Sequence, residues 1–243
     1  MALWGALGMV LLLAFPAAGL PALRIAIGES KPPYRFSTPP GGIEYDLLEA
    51  VVSRMGYQPV ILMAPNARAR FLFDEGRVDG IRAVSGPIVS QPYIQYQNAA
   101  VTLAGKPVRL HTIDDLGRYR VIGFTDARLA LGPEFAAMAA ANPHYSENLS
   151  QPASDQFLFH GDIDVLVCDL HIFDWFVRQA GPGASRPVTV HALFPPTRYR
   201  ILFRDPVLRD RFDEALQEVL LDNPFPAIIK KYLPDPLGAG FAP

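Results

Sequence analysis

LRIAIGESKPPYRFSTPPGGIEYDLLEAVVSRMGYQPVILMAPNARARFLFDEGRVDG, residues 23–80, decides the fold. Leu23 to Ile27 is a short apolar run of strand type, ended by Gly28 and the Pro32-Pro33 turn. Ile43 to Met55 then places Leu47, Leu48, Val51, Val52 and Met55 at helical spacing, and Gly56 stops the helix. Gln58 to Met63 is a second strand, Asn66 to Glu75 a second helix with Asn66 as its cap, and Asp79-Gly80-Ile81 opens a third strand. Strands alternating with helices predict parallel βαβ units and an α/β class.

The same grammar returns downstream. Arg120 to Phe124 reads as a strand, Leu129 to Ala141 as a helix stopping before Pro143, Asp164 to Cys168 as a strand and Leu170 to Gln179 as a helix. Two such units predict two lobes, each a mostly parallel sheet flanked by helices, with a cleft between them. Asn98 to Leu103 is extended and apolar, and is expected to be the first crossing between lobes. Thr189 to Leu193 and Tyr199 to Phe203 are strands around Pro195-Pro196, the expected return crossing, followed by a helix at Asp205 to Leu221 and a short one at Pro226 to Tyr232. The expected division is 23–103 plus 197–233 for lobe 1, 104–196 for lobe 2, and a flexible Pro/Gly-rich tail at 234–243.

The chain has 243 residues, 50% hydrophobic and 19% charged, enough for one large core or two small ones. A net charge of −2 gives no reason to expect nucleic acid or an anionic membrane as a partner. Leu3 to Phe15 is apolar and uncharged but too short to span a bilayer, which takes about 20 residues. With Ala17 and Gly19 behind it, residues 1–19 are expected to be a signal peptide, which implies the periplasm. Cys168 is the only cysteine, so an intramolecular disulfide is excluded, and its apolar strand predicts an inert buried thiol. No Walker loop, G-x-S-x-G, H-E-x-x-H or C-x-x-C occurs, and the five His lack ligand spacing, so neither cofactor nor metal is expected.

Pro32-Pro33-Tyr34-Arg35-Phe36, Gly42-Ile43-Glu44-Tyr45-Asp46-Leu47, Gly76-x-x-Asp79-Gly80, Gln91-Pro92-Tyr93, Gly161-Asp162-Ile163-Asp164 and Asp205-Pro206-x-Leu208-Arg209 occur in that order. In order and spacing the chain resembles the periplasmic solute-binding proteins that serve as amino-acid receptors of ABC importers, from about Leu23 to Leu233. The resemblance implies a small-molecule solute held between hinged lobes. It also implies an ABC permease or a membrane sensor as partner, and the chain is expected to be a monomer. The hinges would lie near Val101 to Gly105 and Phe194 to Arg198, with the ligand outside the carboxyl ends of the strands. It further implies that Tyr34 stacks on the ligand and that Asp169 pairs with its ammonium, although Asp169 also sits where a helix N-cap belongs.

One departure bears on the ligand. The family's T-x-x-R segment, whose arginine forks a carboxylate, is replaced by Ala83-Val84-Ser85-Gly86-Pro87. Ser85 is the hydroxyl left there, and Arg68, Arg82 and Arg128 are the candidate substitutes for the arginine. Thr125 and Asp126, with Arg128 in the same loop, offer a hydroxyl and free amides that could hold an anion. The alternative is an enzyme on this scaffold, similar to cyclohexadienyl dehydratase, with Glu44, Asp126 or Asp169 as its acid.

Overall fold

The computed structural model describes residues 19–181, 183, 185–222 and 224–234. The expected signal peptide and tail lie almost wholly outside them. No described helix is long and apolar enough to cross a membrane.

Strands β1 (Ala22–Ile27), β4 (Gln58–Met63), β5 (Gly80–Ala83), β6 (Ile94–Tyr96) and β12 (Thr197–Phe203) form one five-stranded sheet in the order β4-β1-β5-β12-β6. β1 is parallel to β4 and β5, while β12 runs antiparallel to β5 and β6. Helix α1 (Ile43–Arg54) turns Leu47, Leu48, Val51 and Val52 into the core on one face of this sheet. Helices α7 (Pro206–Leu221) and α8 (Pro224–Tyr232) complete that side. The other face is covered by α2 (Asn66–Asp74) through Ala69, Leu72 and Phe73. A two-residue hairpin, β2 (Phe36–Ser37) with β3 (Pro40–Gly41), leads into α1.

The second sheet takes β7 (Asn98–Leu103), β8 (Val121–Phe124), β9 (Tyr145–Asn148), β10 (Val165–Asp169) and β11 (Val188–His191) in the order β11-β7-β10-β8-β9. Its faces are covered by α4 (Pro133–Ala141) on one side and by α5 (Gln151–His160) and α6 (Leu170–Gln179) on the other. The sequence predicts one helix over 129–141. The structure has two, α3 (Ala127–Ala130) and α4, because Pro133 has no N–H with which to continue a helix.

Asn98–Leu103 is not a crossing. It is a central strand of the second sheet, paired with β10 and β11, because both its faces are apolar and buried. The first crossing is therefore Gln97 alone, between β6 and β7, and the return runs through 192–196. Gln97 ties the two together. Its side-chain amide donates to the Phe194 carbonyl at 3.0 Å, and its backbone N–H donates to Asp169 at 2.9 Å. Helix α6 hangs from the second sheet yet packs Ile172, Trp175 and Phe176 against the first lobe's core.

Candidate functional site

The carboxyl ends of β1, β5, β8 and β10 converge on a cleft of about 680 Å³ between the two sheets. This is where an open α/β sheet leaves its loops and helix N-termini unpaired. The first lobe contributes Lys31, Arg35, Arg82, Tyr96 and Tyr199 to the walls. The second contributes Phe124, Thr125, Asp169, Ile172, Phe176 and the start of α5 from Ser150 to Pro152.

The first wall is built around Glu44. Its side chain is fully buried near the start of α1, and Arg35 pairs with it. Arg82 Nε lies 3.2 Å from its other oxygen, close enough for an ion pair but without hydrogen-bond geometry. The Tyr93 hydroxyl donates to Glu44 at 2.5 Å and the Tyr96 hydroxyl at 3.0 Å. Burial alone would raise this carboxyl's pKa. The two guanidiniums and two hydroxyls outweigh it and hold the carboxyl below its ordinary value. Arg82 lies over the Tyr199 ring, its guanidinium carbon 3.3 Å from the ring centre. Gly28 leaves room for the Arg35 guanidinium beside it. A Cβ there would lie 2.9 Å from Arg35 Nη2 and 3.6 Å from Arg82 Nη1.

Lys31 and Arg35 are bridged across the proline turn, each N–H donating to the other's carbonyl at 2.9 and 3.0 Å. That bridge carries Lys31 and Arg35 to the cleft and turns Tyr34 inward. Tyr34 is wholly buried, its ring stacked on Tyr96 at 3.7 Å between centres. Its hydroxyl reaches both oxygens of Asp169, at 3.1 and 3.2 Å, and His171 Nδ1 at 3.0 Å. The expectation that Tyr34 stacks on a ligand is corrected: an aromatic with an acceptor within reach gains more by burial than by facing water. A hydroxyl has one proton, so with that proton on Asp169, His171 must carry its own on Nδ1 to reach the Tyr34 oxygen.

Asp169 is reached at the cleft's second wall. Its Oδ1 caps α6, accepting from the His171 and Ile172 N–H groups at 3.0 Å each. Burial pushes its pKa up to about 6 against these donors. Burial also holds His171 down to about 4.

Of the nine residues singled out in the sequence, the structure brings Arg82, Thr125 and Asp169 together at the cleft. It does not bring the others. Glu44 is sealed behind the arginines. Arg68 is exposed on α2 over the Phe71 ring, since an unpaired cation in a first helical turn prefers water. Ser85 is exposed and outside the lining. Asp126 and Arg128 serve a different anion, the protein's own Glu147. That carboxylate accepts from the Asp126 N–H at 2.8 Å, the Arg128 N–H at 3.2 Å and the Arg128 guanidinium at 3.2 Å. Glu44 is buried and Asp126 lies outside the lining, so neither presents an acid to the cleft, and Asp169's oxygens are engaged. Asn66 is the first residue of α2 and lines the cleft, while Pro65 occupies the cap. Lys31, Tyr96 and Tyr199 lie in no motif, and Arg35, though inside Pro32-Pro33-Tyr34-Arg35-Phe36, has no role assigned to it in the sequence. Only the charge on the Pro32-Pro33 loop hinted at Lys31 and Arg35.

No protein-family model matches the chain, and no curated protein sequence matches it significantly. Solved structures do match. A histidine kinase sensor domain with similarity to periplasmic binding proteins superposes with a TM-score of 0.67 at 18% identity, over 91% of this chain and 99% of the other. The arginine-, lysine-, histidine-binding protein from Geobacillus stearothermophilus gives 0.64 at 17%, over 88% and 96%. The substrate-binding protein of an amino acid ABC transporter gives 0.59 at 14%, over 88% and 100%. The fold is that of the periplasmic binding proteins. In this periplasmic-binding-protein fold, the cleft walled by Lys31, Arg82 and Asp169 is the groove between the two lobes.

Proposed function

We propose that this chain captures a small polar solute in the interlobe cleft, performs no chemistry on it, and presents it to a membrane partner. One observation carries the reading: a cleft of about 680 Å³ opens at the carboxyl ends of both sheets, with cationic heads on one wall and apolar and hydroxyl groups on the other. That mixture suits orientation of a small ligand by a few polar groups over an apolar floor. Closure would be a rotation about Gln97 and 192–196, bringing the start of α5 towards Lys31 and Arg82. The solved neighbours named above include both a transporter receptor and a kinase sensor domain, so the partner is a permease of an ABC importer or a sensor chain. Export to the periplasm by the signal peptide at residues 1–19 belongs to this reading.

The test is a thermal-shift screen of the mature chain, with native mass spectrometry of any ligand retained through purification. A ligand at 100 times its Kd should add about 2.7 kcal/mol of stability. The ligand should be recovered unchanged. Recovery of a converted product would establish an enzyme instead, and a flat screen with nothing retained would count against capture.

A further inference from the structure

We infer, resting on the capture reading above, that the solute is a small organic dianion without an ammonium group. Among the described residues, the only carboxylate of the second wall, Asp169, cannot accept an ammonium. Asp169 takes four donors: the backbone N–H groups of His171 and Ile172, the N–H of Gln97 and the hydroxyl of Tyr34, all between 2.9 and 3.2 Å. A carboxylate has about four acceptor sites, so none is left for a ligand. Glu44 is closed off in the same way by two guanidiniums and two hydroxyls. Glu29 stands exposed at the rim, and its carbonyl accepts from Arg35 Nε.

The cations are the opposite case. Arg82 makes no hydrogen bond to the protein among the described residues, and its one ionic neighbour, Glu44, is shared with Arg35. Lys31 has no ion pair among the described residues, and its Nζ lies 6.0 Å from the centre of the Phe124 ring on the far lobe. Three cationic heads thus stand at the cleft near two buried carboxylates, Glu44 and Asp169, both already engaged by other donors. Like charges in such a place call for anions. The ten-residue helix α5 adds the positive end of its dipole from the other side. The floor between the charged ends is apolar, made by Phe124, Ile172 and Phe176. Two carboxylates joined by a carbon chain meet all of these demands. An ammonium on that chain would face Lys31 and Arg82, and among the described residues the one lining carboxylate left open, Glu29, stands in water at the rim.

Glutarate and glutamate differ by that ammonium alone. Isothermal titration of the mature chain should show at least one of succinate, glutarate, adipate or phthalate binding, glutarate at least ten-fold tighter than glutamate, and no heat from arginine or putrescine. Lys31→Met, at an exposed position, should fold normally and weaken the bound dianion at least ten-fold. Glutamate binding as tightly as glutarate, or arginine or putrescine binding where the dianions do not, would overturn the dianion inference and leave capture intact. Unchanged dianion affinity in Lys31→Met would overturn it too. Binding by nothing in the panel, with no ligand retained through purification, would overturn both.

Discussion

Glu44 shows how one buried side chain organises a wall. Removing a partner from a buried charge pair costs far more than the pair itself contributes, because the remaining charge is stranded. Glu44→Gln would strand both Arg35 and Arg82. It should lower unfolding free energy by about 3–5 kcal/mol in urea titration. A cost below about 1 kcal/mol would mean that the arginines are solvated. Tyr34→Phe keeps the ring and deletes the hydroxyl shared by Asp169 and His171. Loss of that bond should cost about 1–2 kcal/mol while leaving the cleft able to bind. A variant that folds as well as wild type but loses ligand would restore Tyr34 as a contact. Tyr34 also marks the limit of reading residues singly. The sequence showed an aromatic on a rigid loop, but the Lys31–Arg35 bridge that turns it inward is a long-range outcome of packing. Asp169 was legible as a cap at the mouth of the cleft, since both coincide at the end of β10, but its saturation by four donors was not. Glu147 was not, since it meets Asp126 and Arg128 across 19 to 21 residues of chain.

At the scale of elements, two sites test how local structure positions the cleft. Gly42 precedes α1 with φ 114°, and a Cβ there would fall 2.3 Å from the Tyr34 carbonyl oxygen. Gly42→Ala should therefore destabilise by more than about 2 kcal/mol, since strained φ and a backbone clash add. A neutral result in thermal unfolding would refute that close approach. Helix α5 holds Asp155 buried near Cys168, with one oxygen bonded to Gln151 at 2.7 Å and the other unpartnered among the described residues. Burial raises its pKa to about 7. A group whose folded pKa exceeds its unfolded value stabilises at low pH. Its contribution is complete below about 4 and is lost as pH rises through 7. The lost amount is roughly 4 kcal/mol. Asp155→Asn should flatten this fall, so that urea midpoints at pH 5 and pH 8 converge. Equal pH dependence in both proteins would place the charge elsewhere. The main helices and strands were legible because their apolar spacing is strong. Strands β6 and β9 and helix α5 were not. The strands are three and four residues long, and α5's polar start, Ser150-Gln151-Pro152, hides a weak amphipathic pattern.

At the scale of the molecule, the lobes touch along one side and part along the other. Tyr34 meets Asp169 there, and Phe36 meets Trp175 edge-on at 5.2 Å between ring centres. Both contacts run through α6, and the chain crosses beside them at Gln97. The two-lobe division was legible from the repeated βαβ grammar. The crossing was displaced because Asn98–Leu103 looks the same in sequence whether it links sheets or completes one. The central claim is that the lobes close on a solute. Spin labels at Arg70→Cys on α2 and Leu129→Cys on α3, both exposed, read the interlobe distance directly. Adding the solute with the largest thermal shift should shorten that distance by more than about 2 Å. A distance distribution unchanged with the solute shown to be bound would contradict closure.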